Sequence, residues 1–344
     1  MARKTTSPQD ITIFDVAREA GVSYATVSRV INNKDHVRPE KREAVIHAMA
    51  RLGYVANQQA RSLAGGRSHV IGLLVKDMGH AYAGEIVRGI DEALATQQYD
   101  LLLYTTHRRA TKETTYVSMI TRGMADGLLL ILAHHAEAYL ASLRQRRFPY
   151  VLIDHHGIST FDHSVGATNW QGAYDATHYL LALGHTRIGF IVGDMHMQAS
   201  LDRLDGYQAA LTECGISVDP QLIYYGDFLR TEGFMGAQKL LALTPPPTAI
   251  FASNDEMAFG VIEASREWGL HIPDDLSIIG FDDIPRAAVV HPALTTVRQP
   301  LAQMGRESTN MLLKLIDCPT LPAEQKLLPT ELVVRHSCQA PQSN

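Results

Sequence analysis

In Thr12–Asn32, TIFDVAREAGVSYATVSRVIN, apolar residues recur at helical spacing on either side of a single glycine. Ile13, Val16, Ala17 and Ala20 form one face of a first helix. Thr12 stands where a hydroxyl can cap that helix, and Asp15 suits its positive end. Gly21 ends it, because glycine enters the left-handed conformation without a Cβ penalty. Ser23 can cap a second helix with Val27, Val30 and Ile31 turned inward. Pro39 opens a third, which runs through Ala44, Val45, Ala48, Met49 and Leu52 to Gly53. Two short helices around a tight turn, followed by a third, make a helix-turn-helix head.

The side chains of the second helix suit DNA. Short polar groups hold phosphates, and a few side chains must reach base edges in the major groove. Ser23, Thr26, Ser28 and Asn32 fit the first need, and Tyr24, Ala25 and Arg29 the second. Each residue alone could as well be a cap or a solvated charge. Charge distribution favours DNA. Residues 1–66 carry ten Lys/Arg against six Asp/Glu, whereas residues 67–344 carry twenty-one against thirty. A basic head on an acidic body is expected when only the head meets phosphate.

From Val70 onward, short apolar runs alternate with amphipathic stretches. Strands are predicted at Val70–Val75, Asp100–Thr105, Gly127–Leu132, Tyr150–Asp154, Arg187–Val192, Thr248–Ala252 and Leu276–Phe281. Helices are predicted at Tyr82–Thr96, Trp170–Leu183, Arg203–Cys214, Gly233–Leu243 and Glu256–Trp268. This alternation implies parallel sheets covered on both faces, and the length implies two α/β lobes with a ligand cleft between them.

Other classes find little support. No apolar run reaches the roughly 20 residues of a membrane span. The N-terminus lacks a secretory pattern, and Cys214, Cys318 and Cys338 are scattered, so a cytoplasmic location is expected. There is no phosphate loop, dinucleotide fingerprint or nucleophile elbow, and no catalytic residue or cofactor is expected. The pairs His134-His135 and His155-His156 lack a third ligand at suitable spacing, so no metal is expected either. A glycoside-processing or sugar-binding protein with a vestigial head, or an architectural DNA binder, are the rival readings.

The head resembles the LacI/GalR family of bacterial repressors, whose signature is T-x-x-D-V-A-x-x-A-G-V-S-x-x-T-V-S-R-V-x-N. Every fixed position is present from Thr12 to Asn32. The resemblance implies a homodimer on a pseudo-palindromic operator in double-stranded DNA. Tyr24, Ala25 and Arg29 would read bases, while Thr12, Ser23, Thr26, Ser28 and Asn32 would hold the backbone. Residues 57–66 are similar to the family's hinge helix, in which Asn57, Ala60 and the wedge Leu63 would enter the minor groove. Without that resemblance, Ala60, Leu63 and Ala64 would read as a packing cluster.

The rest is similar to the family's type I periplasmic-binding-protein-like core, through Gly184-His185-Thr186-Arg187-Ile188, Asn254-Asp255, Gly280-Phe281-Asp282-Asp283 and Pro292–Val297. The implied organisation is a lambda-repressor-like head at 1–56, a hinge at 57–66 and a first lobe at 67–167 with 299–325. A second lobe spans 168–298 with 326–335, and a disordered tail spans 336–344. By family position, Arg203, Asn254 and Asp282 would bind a small-molecule effector, and Phe228 would stack on it. Asp154 is a further candidate. For the polar residues the alternative is an interlobe salt bridge or helix cap, and for Phe228 it is core packing. One departure is Met78-Gly79-His80-Ala81-Tyr82-Ala83, where the family commonly has Asn-Pro followed by two aromatics. His80 and Tyr82 would face the cleft. A carbohydrate effector is expected, since sugars need paired polar groups and an aromatic face.

Overall fold

The computed structural model describes residues 11–31, 37–54, 67–79, 81–107, 109–131, 137–155 and 161–342. The expected backbone contact Asn32, the hinge residues Asn57, Ala60 and Leu63, and the cleft residue His80 lie outside them.

The head contains α1 (Ile13–Glu19), α2 (Tyr24–Ile31) and α3 (Pro39–Leu52). At the start of α1 the Asp15 carboxylate accepts from the Thr12 amide at 2.9 Å and from its hydroxyl at 2.7 Å. Gly21 takes a φ of +62°, which lets the chain turn sharply into α2. The Ser23 hydroxyl accepts from the Thr26 amide at 3.3 Å and caps α2. Val16, Ala17, Val27, Val30, Val45 and Ala48 are buried together and weld the three helices.

The body continues as β1 (Val70–Val75), α4 (Ala81–Leu94), β2 (Asp100–Thr105), α5 (Ala110–Ile120), β3 (Gly127–Ile131), α6 (Glu137–Arg146), β4 (Tyr150–Ile153) and β5 (Ser164–Ala167). Then come α7 (Asn169–Ala182), β6 (Ile188–Val192), α8 (Gln198–Glu213), β7 (Ile223–Tyr225), α9 (Arg230–Leu241), β8 (Ala249–Ala252) and α10 (Asp255–Glu267). The chain ends with β9 (Ser277–Asp282), β10 (Thr295–Arg298), α11 (Leu301–Asp317), β11 (Gln325–Leu328) and β12 (Glu331–Val333).

The first lobe is a parallel sheet of order β11-β5-β4-β3-β1-β2. The second has the order β12-β10-β9-β8-β6-β7, parallel except for β12. Both faces of each sheet bury apolar side chains, which is why β1, β3, β4, β6 and β8 read as continuous apolar runs. On the first lobe, α4 and α11 cross backbone to backbone. A Cβ on Gly89 would lie 1.9 Å from the Ala302 carbonyl oxygen, so only glycine permits this approach.

Among the described residues the chain passes between lobes three times: after β5, after β10, and between β11 and β12. The third passage corrects the expected boundary at 325/326. Gln325–Leu328 pairs in parallel with Ser164–Ala167, so residues 326–328 belong to the first lobe. This edge strand, QKLL, is mostly exposed and has no apolar run to mark it. Thr168 and Thr330 join the first and third passages, with the Thr330 amide donating to the Thr168 hydroxyl at 2.9 Å.

The expected disorder of 336–344 is also corrected for residues 336–342. Ser337 is fully buried. Its hydroxyl accepts from the Thr295 amide at 2.8 Å and donates to the Ile278 carbonyl at 2.6 Å. The Ile278 amide donates to the Ser337 carbonyl at 2.8 Å, and His185 Nε2 lies 2.9 Å from the Gln339 carbonyl oxygen. A polar, proline-containing tail carries no periodic signal, yet its backbone completes the hydrogen bonding of buried strands. Ser337→Ala would leave the Thr295 amide unsatisfied. We expect a loss of about 1–3 kcal/mol in urea unfolding of the second lobe; an unchanged midpoint would mean the tail is only loosely apposed.

Candidate functional site

A cavity lies between the lobes at the carboxyl ends of their strands, where open α/β sheets bind ligands. Asp77 follows β1, Asp154 follows β4, Asp227 and Phe228 follow β7, Asn254 follows β8, and Asp282 ends β9. Lys76 of the first lobe reaches Asp194 of the second, with Nζ 3.3 Å from Oδ2.

Arg203, on α8, is 2% exposed. Its Nε donates to Asn169 Oδ1 at 2.9 Å and one terminal nitrogen donates to the Ser253 carbonyl. The guanidinium lies 3.8 Å from the Phe281 ring centroid and 5.6 Å from that of Phe228. Asp282 Oδ1 is 3.9 Å from Arg203 and accepts from Gln299 Nε2 at 2.7 Å. Asn254 caps α10, its Oδ1 accepting from the Met257 amide at 2.9 Å. Its Nδ2 donates to the Phe228 carbonyl at 3.1 Å, so this side chain fixes the aromatic loop as well as facing the cavity. Phe228 has a φ of +70°, and its ring rests on Gly193, where a Cβ would come within 2.1 Å. Across the cleft, the Tyr82 hydroxyl donates to Asp154 Oδ2 at 2.6 Å.

Arg203, Asn254, Asp282, Phe228, Tyr82 and Asp154 thus all line one cavity. The sequence reading missed Glu256, Asp227, Asp77 and Lys76, which line it too. Glu256 had a usable signal, since it lies in the first turn of the helix that Asn254 caps. Among the described residues, no group of three or more His, Cys, Asp or Glu could hold a metal.

The cleft is electrostatically loaded. Burial pushes the Asp282 carboxyl up to about 7, against the pull of Arg203 and Gln299 and with the repulsion of Asp154 and Glu256. Asp255, buried beneath it and held by the Thr296 hydroxyl at 2.5 Å, is raised by burial and by Asp282. Burial, followed by Asp154, raises the Tyr82 hydroxyl. In the unfolded chain an aspartate titrates near about 3.9. The folded protein therefore binds the Asp282 proton more tightly, and that stabilisation disappears as pH rises through about 7. In thermal melts from pH 5 to pH 8, Asp282→Asn should gain on the wild type as pH rises. A difference that does not vary with pH would place the Asp282 charge in solvent.

On the head, Tyr24, Ala25 and Arg29 are exposed on α2. Tyr24 stacks on Phe14 of α1, with ring centroids 5.1 Å apart and planes inclined by 20°. Phe14 is 62% exposed and was not singled out by the sequence reading, although an apolar ring off the helical face was visible there. The Ser23 and Thr26 hydroxyls lie 2.9 Å apart, and Ser28 is half-buried.

Residues 12–57 match the bacterial regulatory proteins of the lacI family, and residues 177–338 match the periplasmic binding protein-like domain. The chain is 36% identical over 331 residues to the HTH-type transcriptional repressor CytR of Escherichia coli (strain K12), covering 96% of each. It superimposes on the Lac repressor dimer bound to operator and the anti-inducer ONPF with a TM-score of 0.84 and 29% identity, covering 96% of this chain and 100% of that one. The transcriptional regulator CelR in its cellobiose complex gives 0.75 and 33% identity, covering 95% and 99%. Among the described residues no helix is long and apolar enough to cross a membrane. A signature carried intact through the reading helix, a two-lobed body behind it and likeness along nearly the full length lead to one conclusion: the chain belongs to the LacI family and is a DNA-binding transcription regulator.

Proposed function

We propose that the protein is a cytoplasmic homodimeric repressor that leaves its operator when a sugar or glycoside occupies the cleft. The observation that carries the effector reading is the joint lining of one cavity by the Arg203, Asn254 and Asp282 polar groups and the Phe228 ring. Such a set offers edges for hydroxyl groups and a face for the apolar side of a sugar. CelR is solved with cellobiose, which supports that class. The protein acts by binding and not by catalysis, its relatives being regulators.

In this reading, Tyr24, Ala25 and Arg29 contact bases, and Thr12, Ser23, Thr26, Ser28 and Asn32 contact phosphates. Asn57, Ala60 and Leu63 enter the minor groove at the centre of a pseudo-palindromic site. The Lac repressor, which this chain resembles along its length, is solved as a dimer bound to operator, which supports a dimeric reader. An effector that engages Asp282 on the second lobe and Tyr82 and Asp154 on the first favours one closure of the lobes. It changes operator affinity only by the difference in its affinity for the two closures.

Two experiments test this. Arg29→Ala should relax base preference at one position per half-site, by about 1–3 kcal/mol, in a binding assay over operator variants. A uniform loss across sequences would reduce Arg29 to a phosphate contact. Calorimetry against sugars and purines should give heat with sugars, and binding confined to purines would refute the carbohydrate class.

A further inference from the structure

The charge balance inside the cleft restricts its ligand further. Five carboxylates, Asp77, Asp154, Asp227, Glu256 and Asp282, face the cavity. Lys76 and Arg203 are the cations among the described lining residues. Both are engaged by the protein: Lys76 by Asp194, and Arg203 by Asn169, the Ser253 carbonyl and Asp282. Even with Asp282 protonated, four carboxylates remain among the described lining residues.

The nearby end of α10 is equally unsuited to an anion. Helix N-termini attract phosphate through unpaired amides and the helix dipole. Here the Asn254 side chain takes the Met257 amide, and the first turn carries Asp255 and Glu256. The Asp77 carboxylate accepts from the Gly79 amide at 3.1 Å and that of Asp227 from the Leu229 amide at 2.8 Å. Glu256 is half-buried and has no hydrogen-bond partner among the described residues, so its carboxylate is presented to whatever enters.

We propose that the cleft accepts uncharged or cationic hydroxylated ligands and rejects their phosphorylated and carboxylated derivatives, with Glu256 setting that preference. The inference rests on the carbohydrate reading for its first choice of ligands, but its charge rule applies to any ligand of this cleft. A phosphate would bring up to two negative charges into a confined space whose described lining is net acidic, where Coulomb repulsion is poorly screened.

The test is calorimetry on the full chain at pH 7.5 with matched series: neutral sugars, their 6-phosphates, uronates and 2-amino analogues, and nucleosides with their 5′-monophosphates. At least one uncharged parent should bind, and its phosphate should bind at least about tenfold more weakly. Glu256→Gln should narrow that ratio by about threefold or more. Nucleosides binding in place of sugars, in the same charge order, would overturn the carbohydrate reading and support the charge rule. A sugar phosphate binding as tightly as its parent would keep the carbohydrate reading and overturn the rule. A panel in which no uncharged member binds overturns both. An unchanged ratio in a Glu256→Gln protein that melts like the wild type would overturn the role of Glu256.

Discussion

The cleft is organised around one buried cation. Arg203 cannot return to water, so its charge must be met from within. Phe281 and Phe228 supply ring faces, Asn169 and the Ser253 carbonyl accept its hydrogen bonds, and Asp282 brings the opposing charge. These groups come from a helix, two strand ends and a loop of the second lobe. The guanidinium therefore fixes where the lobe's cavity-facing atoms stand. A ligand that hydrogen-bonds Asp282 enters this set and alters its balance.

From Asp282 the contacts lead to the passages between the lobes. Gln299, at the second passage, donates to the Asp282 carboxylate. The next residue, Asp283, is clamped by Arg298 at 2.7 Å and by Arg335 at 2.6 Å. Arg298 reaches on to Glu331 beside the third passage, which Thr330 joins to the first. Asp282 and Asp283 have φ of +112° and +55°, and Asp154 and Phe228 also lie in the left-handed region. Non-glycine residues persist there only where their surroundings hold them. The cleft thus concentrates backbone strain beside contacts that tie one lobe to the other, an arrangement suited to two alternative closures.

Much of this was legible in the sequence because periodicity and position are both local signals. The head was readable residue by residue, since capping, glycine turns and inward valines all agree. The central strands were readable because burial on both faces makes them uniformly apolar. What escaped detection was short, exposed or set by distant partners. β5, β7, β10, β11 and β12 have only three or four residues, and α5 and α6 are only weakly amphipathic. α11 carries a clear apolar stripe, Leu301, Met304, Met311, Leu312 and Leu315, that was legible and not read. The order of the tail depends on Ser337 meeting Thr295 and Ile278, which no local pattern announces. In the cleft, family position found Arg203, Asn254 and Asp282 but not Glu256. Helix capping and a place in the cleft were read as alternatives for Asn254, whereas it caps α10, ties the Phe228 loop and lines the cavity at once.

The central claim is that occupation of the cleft and binding of the head share one conformational equilibrium. Thermodynamic linkage makes this directly measurable. The affinity of the effector is determined on the free dimer and on the dimer saturated with operator, and operator affinity is determined with and without effector. The account predicts that the two ratios differ from one and equal each other. Identical effector affinities in the free and operator-bound protein would contradict it.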